Sequence, residues 1–119
     1  MSEATSPRLS AIVVTYNEQD VIGACLEALV PQLGPGDELI IADNASADRT
    51  LQIVRAAAPQ AIVIEMPSND GYMPACNAAA RSASGELLLL IDADAEDDIP
   101  VIGSRIAEVP GDPESQAAE

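Results

Sequence analysis

The chain has 119 residues, of which 48% are apolar, and its 20 acidic residues against five arginines give a formal net charge of −15. This length and apolar content suffice for one modest core and not for two domains. So acidic a chain lacks the basic surface that nucleic-acid backbones require, which excludes nucleic-acid binding. The sequence contains no His, so it cannot by itself build a Ser-His-Asp site, a Cys-His site or a His metal site.

The cysteines and the apolar runs of the sequence indicate in which cellular compartment the protein is expected. Cys25 and Cys76 show no close pairing pattern, which favours reduced thiols in a cytosolic protein. The polar N-terminal segment is not typical of a signal peptide, and the longest apolar run, Leu87–Ile91, is far too short to span a membrane. We therefore expect a cytoplasmic protein without a transmembrane segment, either free or peripherally associated with a membrane.

Strand-like and helix-like apolar patterns alternate along the chain. β-Branched runs bounded by turn residues predict buried strands, and apolar residues at helical spacing predict the helices between them. A disordered lead (1–9) is expected before the domain (10–98), which a weak helix (99–109) and a disordered tail (110–119) follow. The predicted elements are strand 11–14, helix 22–30, strand 38–42, helix 51–58, strand 61–65, helix 73–83 and strand 87–91.

This alternation predicts the fold class. Four apolar strands separated by helices are typical of an α/β fold, here a Rossmann-like parallel sheet of about four strands with helices on both faces. Asn17 is predicted to cap the first helix, with Asp20 at capping-box spacing and Glu18 in the first turn. Ser46 is predicted to cap the second helix.

Polar residues follow each predicted strand. In a parallel sheet those strand ends meet at one edge, where ligands of open α/β sheets bind. Helix capping explains Asn17 and Ser46, but it does not explain Asp92 and Asp94, after which no helix clearly begins. The segments expected to converge on one site are Thr15-Tyr16-Asn17, Asp43-Asn44, Asn69-Asp70 and Asp92-Ala93-Asp94.

Asp92 and Asp94 are two positions apart, so both can reach one cation. Their hard carboxylate oxygens suit Mg²⁺, Mn²⁺ or Ca²⁺. A chain with a net charge of −15 and no Lys would also need such a cation to hold a diphosphate. The alternative is that residues 92–98, five of them acidic, form only a solvated stretch, and the spacing alone leaves both interpretations open.

In their order along the chain these motifs resemble the N-terminal, nucleotide-sugar-binding half of a family 2 glycosyltransferase of the GT-A fold. Each motif is weak alone, and the ordered set from about Ser10 to Glu96 carries the resemblance. Its pieces are Thr15-Tyr16-Asn17-Glu18, then Asp43 to Asp48, then Asn69-Asp70-Gly71-Tyr72 leading to Asn77, then Gly85-Glu86 and Leu87–Ile91 into Asp92-Ala93-Asp94.

The resemblance implies a nucleotide-diphospho-sugar donor, an acceptor that the sequence does not identify, and Mn²⁺ or Mg²⁺ as cofactor. It places Tyr16 near the nucleobase, where its ring can stack, with Thr15 beside it and Glu18 also at the donor. Asp43 would accept a hydrogen bond from the base. Asp48 matches a position that shapes the loop after the second strand.

The later motifs supply the diphosphate end of the implied site. Asp92 would lie by the ribose or the sugar and share the metal with Asp94, which would coordinate the ion bound to the diphosphate. Gly71 and Asn77 match a segment that lines the nucleotide pocket. Cys76 stands where many members of the family carry Arg, so phosphate binding would depend more heavily on the metal.

No catalytic general base is identified. Family members continue past the DxD segment into an acceptor half that carries this base, whereas here 25 residues follow Asp94 (119 − 94). Asp97 and Asp98 are candidates only through their proximity to the metal segment. Three interpretations stay open: the donor half of a sugar transferase that needs a missing segment or a second chain, a nucleotide- and metal-binding module without turnover, and a truncated structural remnant.

Three other α/β classes fit less well. In aspartate-nucleophile phosphatases the DxD motif follows the first strand, whereas here it follows the fourth. The sequence has no Lys, which such a phosphatase needs to hold the phosphoryl group and a receiver domain needs near its end. A dinucleotide-binding domain needs a glycine-rich turn after its first strand, and Thr15–Glu18 contains no Gly.

Overall fold

The computed structural model describes residues 8–94. Each observed element lies within two residues of its predicted bounds, although β1 already begins inside the predicted lead. The predicted helix at 99–109, the tail at 110–119 and the carboxylates of Asp97 and Asp98 lie outside the described residues. The elements are β1 (Leu9–Thr15), α1 (Ile22–Leu29), a 3₁₀ turn (Val30–Gln32), β2 (Glu38–Asp43), α2 (Thr50–Ala57), β3 (Ile62–Glu65), α3 (Tyr72–Ser82) and β4 (Leu87–Ile91).

The four strands form one parallel sheet in the order β3-β2-β1-β4. Ile12 of β1 pairs with Ile40 of β2 and with Leu90 of β4, and Ile40 pairs in turn with Ile62 of β3. The chain therefore builds outward from β1 to β3 and then returns to place β4 on the other side of β1. This reversal of direction creates a crevice at the carboxyl ends of β1 and β4, where open α/β sheets bind ligands.

Helices cover both faces of this sheet, which confirms the predicted fold class. On one face α1 and α2 pack over alternate strand residues, among them Val13 and Ile41. On the other face Ala75 and Ala79 of α3 pack against Ile12 and Ile40. Small side chains let α3 approach the sheet closely, so the centre of β2 is fully buried.

The face covered by α3 is incomplete over β4. Leu88 and Leu90 point to this face and are 52% and 53% exposed. At the opposite edge of the sheet Ile62 of β3 is 41% exposed. Within the described residues, α3 thus protects the central strands and leaves apolar side chains of both outer strands in contact with water.

The predicted helix caps are wrong. Helix α1 begins at Ile22, five residues after Asn17, and neither α1 nor α2 has a side-chain cap or an acidic residue in its first turn. Asn17 adopts a left-handed conformation (φ 53°) and its side-chain oxygen accepts a hydrogen bond from the Ala47 amide at 2.8 Å. Asn17 and Ser46 therefore join two loops instead of starting two helices.

Gly85 lies where the chain enters β4 and passes very close to β1. Its amide donates to the Ser10 hydroxyl oxygen at 2.8 Å, and that hydroxyl donates to the Glu38 carboxylate at 2.6 Å. This bond, together with bonds from Ser84, holds the pKa of Glu38 below its ordinary value. A Cβ at position 85 would lie 2.6 Å from the Ser10 oxygen and 2.8 Å from its amide nitrogen. Only glycine fits here without displacing β1.

Gly85→Ala is expected to destabilise the domain by about 1–3 kcal/mol, because the added methyl group forces backbone to move. Urea unfolding followed by circular dichroism measures this loss. Gly23→Ala is the matched control, since its Cβ would meet only the side chain of Ile53 on the neighbouring helix α2 at 3.5 Å, an ordinary van der Waals contact. Equal stabilities of the two variants would contradict the close approach at Gly85.

Candidate functional site

A cavity of about 400 Å³ opens at the carboxyl edge of the sheet, at the crevice described above. It is formed by the ends of β1, β2 and β4 and by the start of α3. Segments that are far apart in the sequence therefore meet at one place, as the strand ends predicted. The lining residues are Val14, Tyr16, Glu18, Asn44, Asn69, Tyr72, Asp92, Ala93 and Asp94.

Asp43 ends β2 and is bonded within the protein. One carboxylate oxygen accepts from the hydroxyls of Thr15 (2.6 Å) and Ser46 (2.7 Å), and the other accepts from the Ser46 amide at 2.9 Å. Asp43 is 1% exposed, so these bonds compensate for the removal of its charge from water. The side chain thereby fixes the turn after β2, in which Ala45 has a φ of 62°.

The loops after β1 and β2 are bonded to each other along their length. The Asn17 amide donates to the Ser46 hydroxyl at 2.8 Å, and the Glu18 amide donates to the Thr50 hydroxyl at 2.8 Å. Asp48 accepts from the Gln19 amide at 3.2 Å and from the Thr50 amide at 2.9 Å. This agrees with the loop-shaping role expected of Asp48, and it fixes the loop that carries Tyr16 and Glu18.

Three carboxylates line the cavity. Asp92 and Asp94 are exposed on either side of the buried Ala93, so both can face the opening. Partial burial raises the pKa of Glu18, and the negative charges of Asp94 and Asp92 nearby add to the rise. Charges of one sign are therefore crowded together at this part of the cavity. A bound cation would relieve their repulsion.

The start of α3 forms another wall. The Asn44 side-chain amide donates to the Gly71 carbonyl at 3.1 Å, and the Gly71 amide donates to the Asn69 side chain at 3.1 Å. Gly71 has a φ of 109°, a conformation that favours glycine, and the turn it makes presents Tyr72 to the cavity. A hydrogen bond with Cys76 and partial burial raise the pKa of Tyr72 to about 12.

The predicted site residues divide into two groups. Tyr16, Glu18, Asp92 and Asp94 all line the cavity. The remaining four do not: Thr15 and Asp43 are buried, Gly71 supports the wall through its backbone, and Asn77 is exposed further along α3.

The sequence predicted that Asn44 and Asn69 lie at this site, but it indicated no individual binding role for them or for the third such lining residue, Tyr72. All three lie in the motifs that carry the resemblance, and the available signal was their position directly after β2 and directly before or at the start of α3.

Neither cysteine is placed as a nucleophile. Burial, with a contribution from the charge of Asp94, raises the pKa of Cys25 to about 11, so its thiol stays protonated. Cys76 is buried on the first turns of α3. The cavity therefore offers carboxylates, amides and phenols for binding and no activated thiol for covalent chemistry.

The donor set fits a hard divalent cation. Within residues 8–94 no group of three or more Cys, Asp or Glu side chains is close enough to form a complete metal cage. Mg²⁺ is typically held by one or two carboxylates together with substrate phosphates and water. Asp92 and Asp94 supply that number of carboxylates, and both are exposed at the cavity.

Comparison with known protein families identifies the family of this chain. Residues 10–115 match the family described as Glycosyl transferase family 2. The chain belongs to this family. The match spans the strand ends that build the cavity and residues 92–94, and the resemblance to this family is confirmed.

Individual glycosyltransferases are similar to this chain in sequence and in structure. A PGL/p-HBAD biosynthesis glycosyltransferase of Mycobacterium bovis is 33% identical over 92 residues, covering 75% of this chain and 36% of the relative. The mannosyltransferase PcManGT of Pyrobaculum calidifontis, solved with GDP-Man and Mn²⁺, is 33% identical with a TM-score of 0.72, covering 81% and 30%. S. aureus TarS 1–349, solved with UDP-GlcNAc, is 29% identical with a TM-score of 0.78, covering 87% and 31%. This chain thus spans about a third of the length of these relatives.

Between residues 8 and 94 no helix combines the length and the apolar character needed to cross a bilayer.

Proposed function

We propose that this family 2 chain binds the nucleoside diphosphate of a sugar donor together with Mn²⁺ or Mg²⁺, as the donor half of a glycosyl transfer. The observation that carries the proposal is that Tyr16, Asp92 and Asp94 line one cavity at the crevice of the sheet. Relatives solved with GDP-Man and Mn²⁺ and with UDP-GlcNAc support this ligand class.

The nucleobase is assigned to the side of Tyr16. The tyrosine is 46% exposed on a loop that is bonded to its neighbour, so its ring offers a fixed apolar surface for stacking. Thr15 and Asp43 lie at the root of this loop, and one Asp43 oxygen accepts only a single bond from the chain. That oxygen retains capacity for a base N–H if the ligand reaches it.

The diphosphate is assigned to the side of Asp92 and Asp94. The domain carries a strong negative charge and no Lys, so it has little of its own to offset the charge of a diphosphate. A cation held by these two carboxylates supplies that charge and, when bound, stabilises the departing diphosphate as a Lewis acid. Glu18 is the third carboxylate of the cavity, and the charges of Asp92 and Asp94 contribute to its raised pKa.

Asp92 and Asp94 are thus assigned to the cation and Glu18 to the donor, and among residues 8–94 no further carboxylate lines the cavity to act as a base on an acceptor hydroxyl. An inverting transfer needs such a base to take the acceptor proton. We infer that acceptor binding and proton removal are supplied by chain outside the described residues or by a second chain. Binding without turnover is the second candidate for the 119-residue chain alone, and the same observation favours it.

Calorimetry of the 119-residue chain with UDP and with GDP, each with and without MnCl₂, tests the proposal. We expect saturable binding of at least one nucleotide that requires the metal. Release of free sugar from UDP-GlcNAc or GDP-Man would show turnover by the chain itself, and binding without release would show a binding module. No binding of either nucleotide with Mn²⁺ or Mg²⁺ would contradict the proposal.

Tyr16→Ala is expected to weaken metal-dependent nucleotide binding by roughly 1–3 kcal/mol, the usual contribution of one base stacked on an aromatic ring. The same calorimetric titration measures the change. Tyr16→Phe keeps the ring and is expected to bind nearly as well as the unchanged chain. Equal affinities for the alanine variant and the unchanged chain would show that Tyr16 is only a surface residue.

A further inference from the structure

The chain has two aromatic residues in total, Tyr16 and Tyr72, and both line the same cavity. Tyr72 has no part in the function proposed above. We propose that Tyr72 is a second aromatic contact for the nucleoside of the donor, on the wall formed by α3. This inference rests on the proposed function and names a further binding residue for it.

The exposure of the two rings supports a role in binding. Tyr16 is 46% and Tyr72 is 45% exposed, although the sheet has apolar surface against which tyrosine rings could be buried. Both rings are instead presented to a concave site by loops held through hydrogen bonds, Tyr16 by the Asn17–Ser46 bond and Tyr72 by the turn at Gly71. Half-exposed aromatic rings in a concave site are typical of ligand contacts.

The chemistry of the lining indicates which part of the ligand Tyr72 meets. The acidic residues of the cavity account for the diphosphate and its cation. Tyr72 follows Gly71, to which the neutral lining residues Asn44 and Asn69 are both hydrogen-bonded. A nucleoside is the flat, uncharged part of the donor that needs an apolar surface and amide partners.

The first test measures affinity. Tyr72→Ala in the 119-residue chain is expected to weaken calorimetric binding of the nucleotide with Mg²⁺ by roughly 5- to 100-fold, whereas Tyr72→Phe retains most of the affinity. Met73→Ala is the matched control, because Met73 is the next residue of α3, is 59% exposed and does not line the cavity. Circular dichroism checks that each variant is folded. An unchanged affinity for Tyr72→Ala overturns the inference.

The second test uses the absence of Trp, which leaves the two tyrosines as the emitting groups of the chain. In Tyr16→Phe, all tyrosine emission comes from Tyr72. We expect UDP or GDP with Mg²⁺ to quench this emission along the same curve as the binding heat, after correction with free N-acetyl-tyrosinamide. UMP or GMP at saturation is expected to quench it as well.

Two results of this second test overturn the inference and leave the proposed function standing. One is nucleotide binding by Tyr16→Phe with no change in Tyr72 emission. The other is quenching by UDP-GlcNAc or GDP-Man that UDP and GDP do not produce, which would place Tyr72 at the sugar. If the unchanged chain binds no nucleotide at all, the proposed function fails, and the inference fails with it.

Discussion

Replacing Asp94 or Asp92 with alanine is expected to abolish metal-dependent nucleotide binding while the circular dichroism spectrum stays nearly unchanged. Residues that only orient metal ligands typically contribute 10- to 100-fold to metal affinity, so loss of a ligand is expected to cost at least about 100-fold. Both side chains are exposed, and removal of one negative charge relieves repulsion on Glu18. Stability is therefore expected to be kept while binding is lost.

Calorimetry with UDP and GDP in the presence of Mn²⁺ measures this effect. Asp20→Ala serves as the matched control, since Asp20 is an exposed carboxylate on the same loop as Glu18 and does not line the cavity. It changes the net charge equally and is expected to bind as the unchanged chain does. Unaltered affinity in both Asp92→Ala and Asp94→Ala would remove the site assignment.

Ile40→Asp is expected to unfold the domain. Ile40 is fully buried at the centre of the sheet, against Ile12 and the alanines of α3. The substitution forfeits about 1.5–3 kcal/mol of apolar burial and adds a buried, unpaired carboxylate that costs several kcal/mol more. That sum is comparable with the whole stability of a domain of this size, about 5–15 kcal/mol.

Far-ultraviolet circular dichroism and urea titration measure the outcome. Ile62→Asp is the matched control, because Ile62 pairs with Ile40 on the neighbouring strand and faces the same side, yet is 41% exposed. It is expected to stay folded. A folded, soluble Ile40→Asp chain would contradict a sheet covered on both faces.

The fold was predictable because the signals that specify it are local. Strand runs such as Leu39–Ala42 are apolar and contain β-branched residues, and each is separated from the next by residues at helical spacing. The residues that would cap the helices were not predictable from local signals, because Asn17 and Ser46 make bonds between loops that only the folded chain brings together. The exposure of Leu88 and Leu90 was not predictable either, because a run of leucines does not show how much of β4 the helix α3 covers.

The sequence predicted at which edge of the sheet the site lies, but it predicted the contacts of individual side chains less well. Strand ends placed Tyr16, Asp92 and Asp94 at one cavity. The family resemblance implied that Asp43 accepts a hydrogen bond from the base; in the structure its buried carboxylate already accepts from Thr15 and Ser46, and only one of its oxygens keeps capacity for a ligand. Such hydrogen bonds depend on the distances between loops in the fold, which cannot be read from the spacing of residues along the chain.

The central claim is that one cation binds between loops that are remote in sequence, beneath the nucleotide. The most direct measurement is paramagnetic broadening of the amide resonances of the ¹⁵N-labelled chain by Mn²⁺ with UDP or GDP. We expect selective loss of the signals of Glu18, Asp92, Asp94 and Tyr72, while the signal of Gln60, which precedes the amino end of β3, stays sharp. Broadening confined to the acidic residues after Asp94, with Glu18 and Tyr72 unaffected, would contradict it.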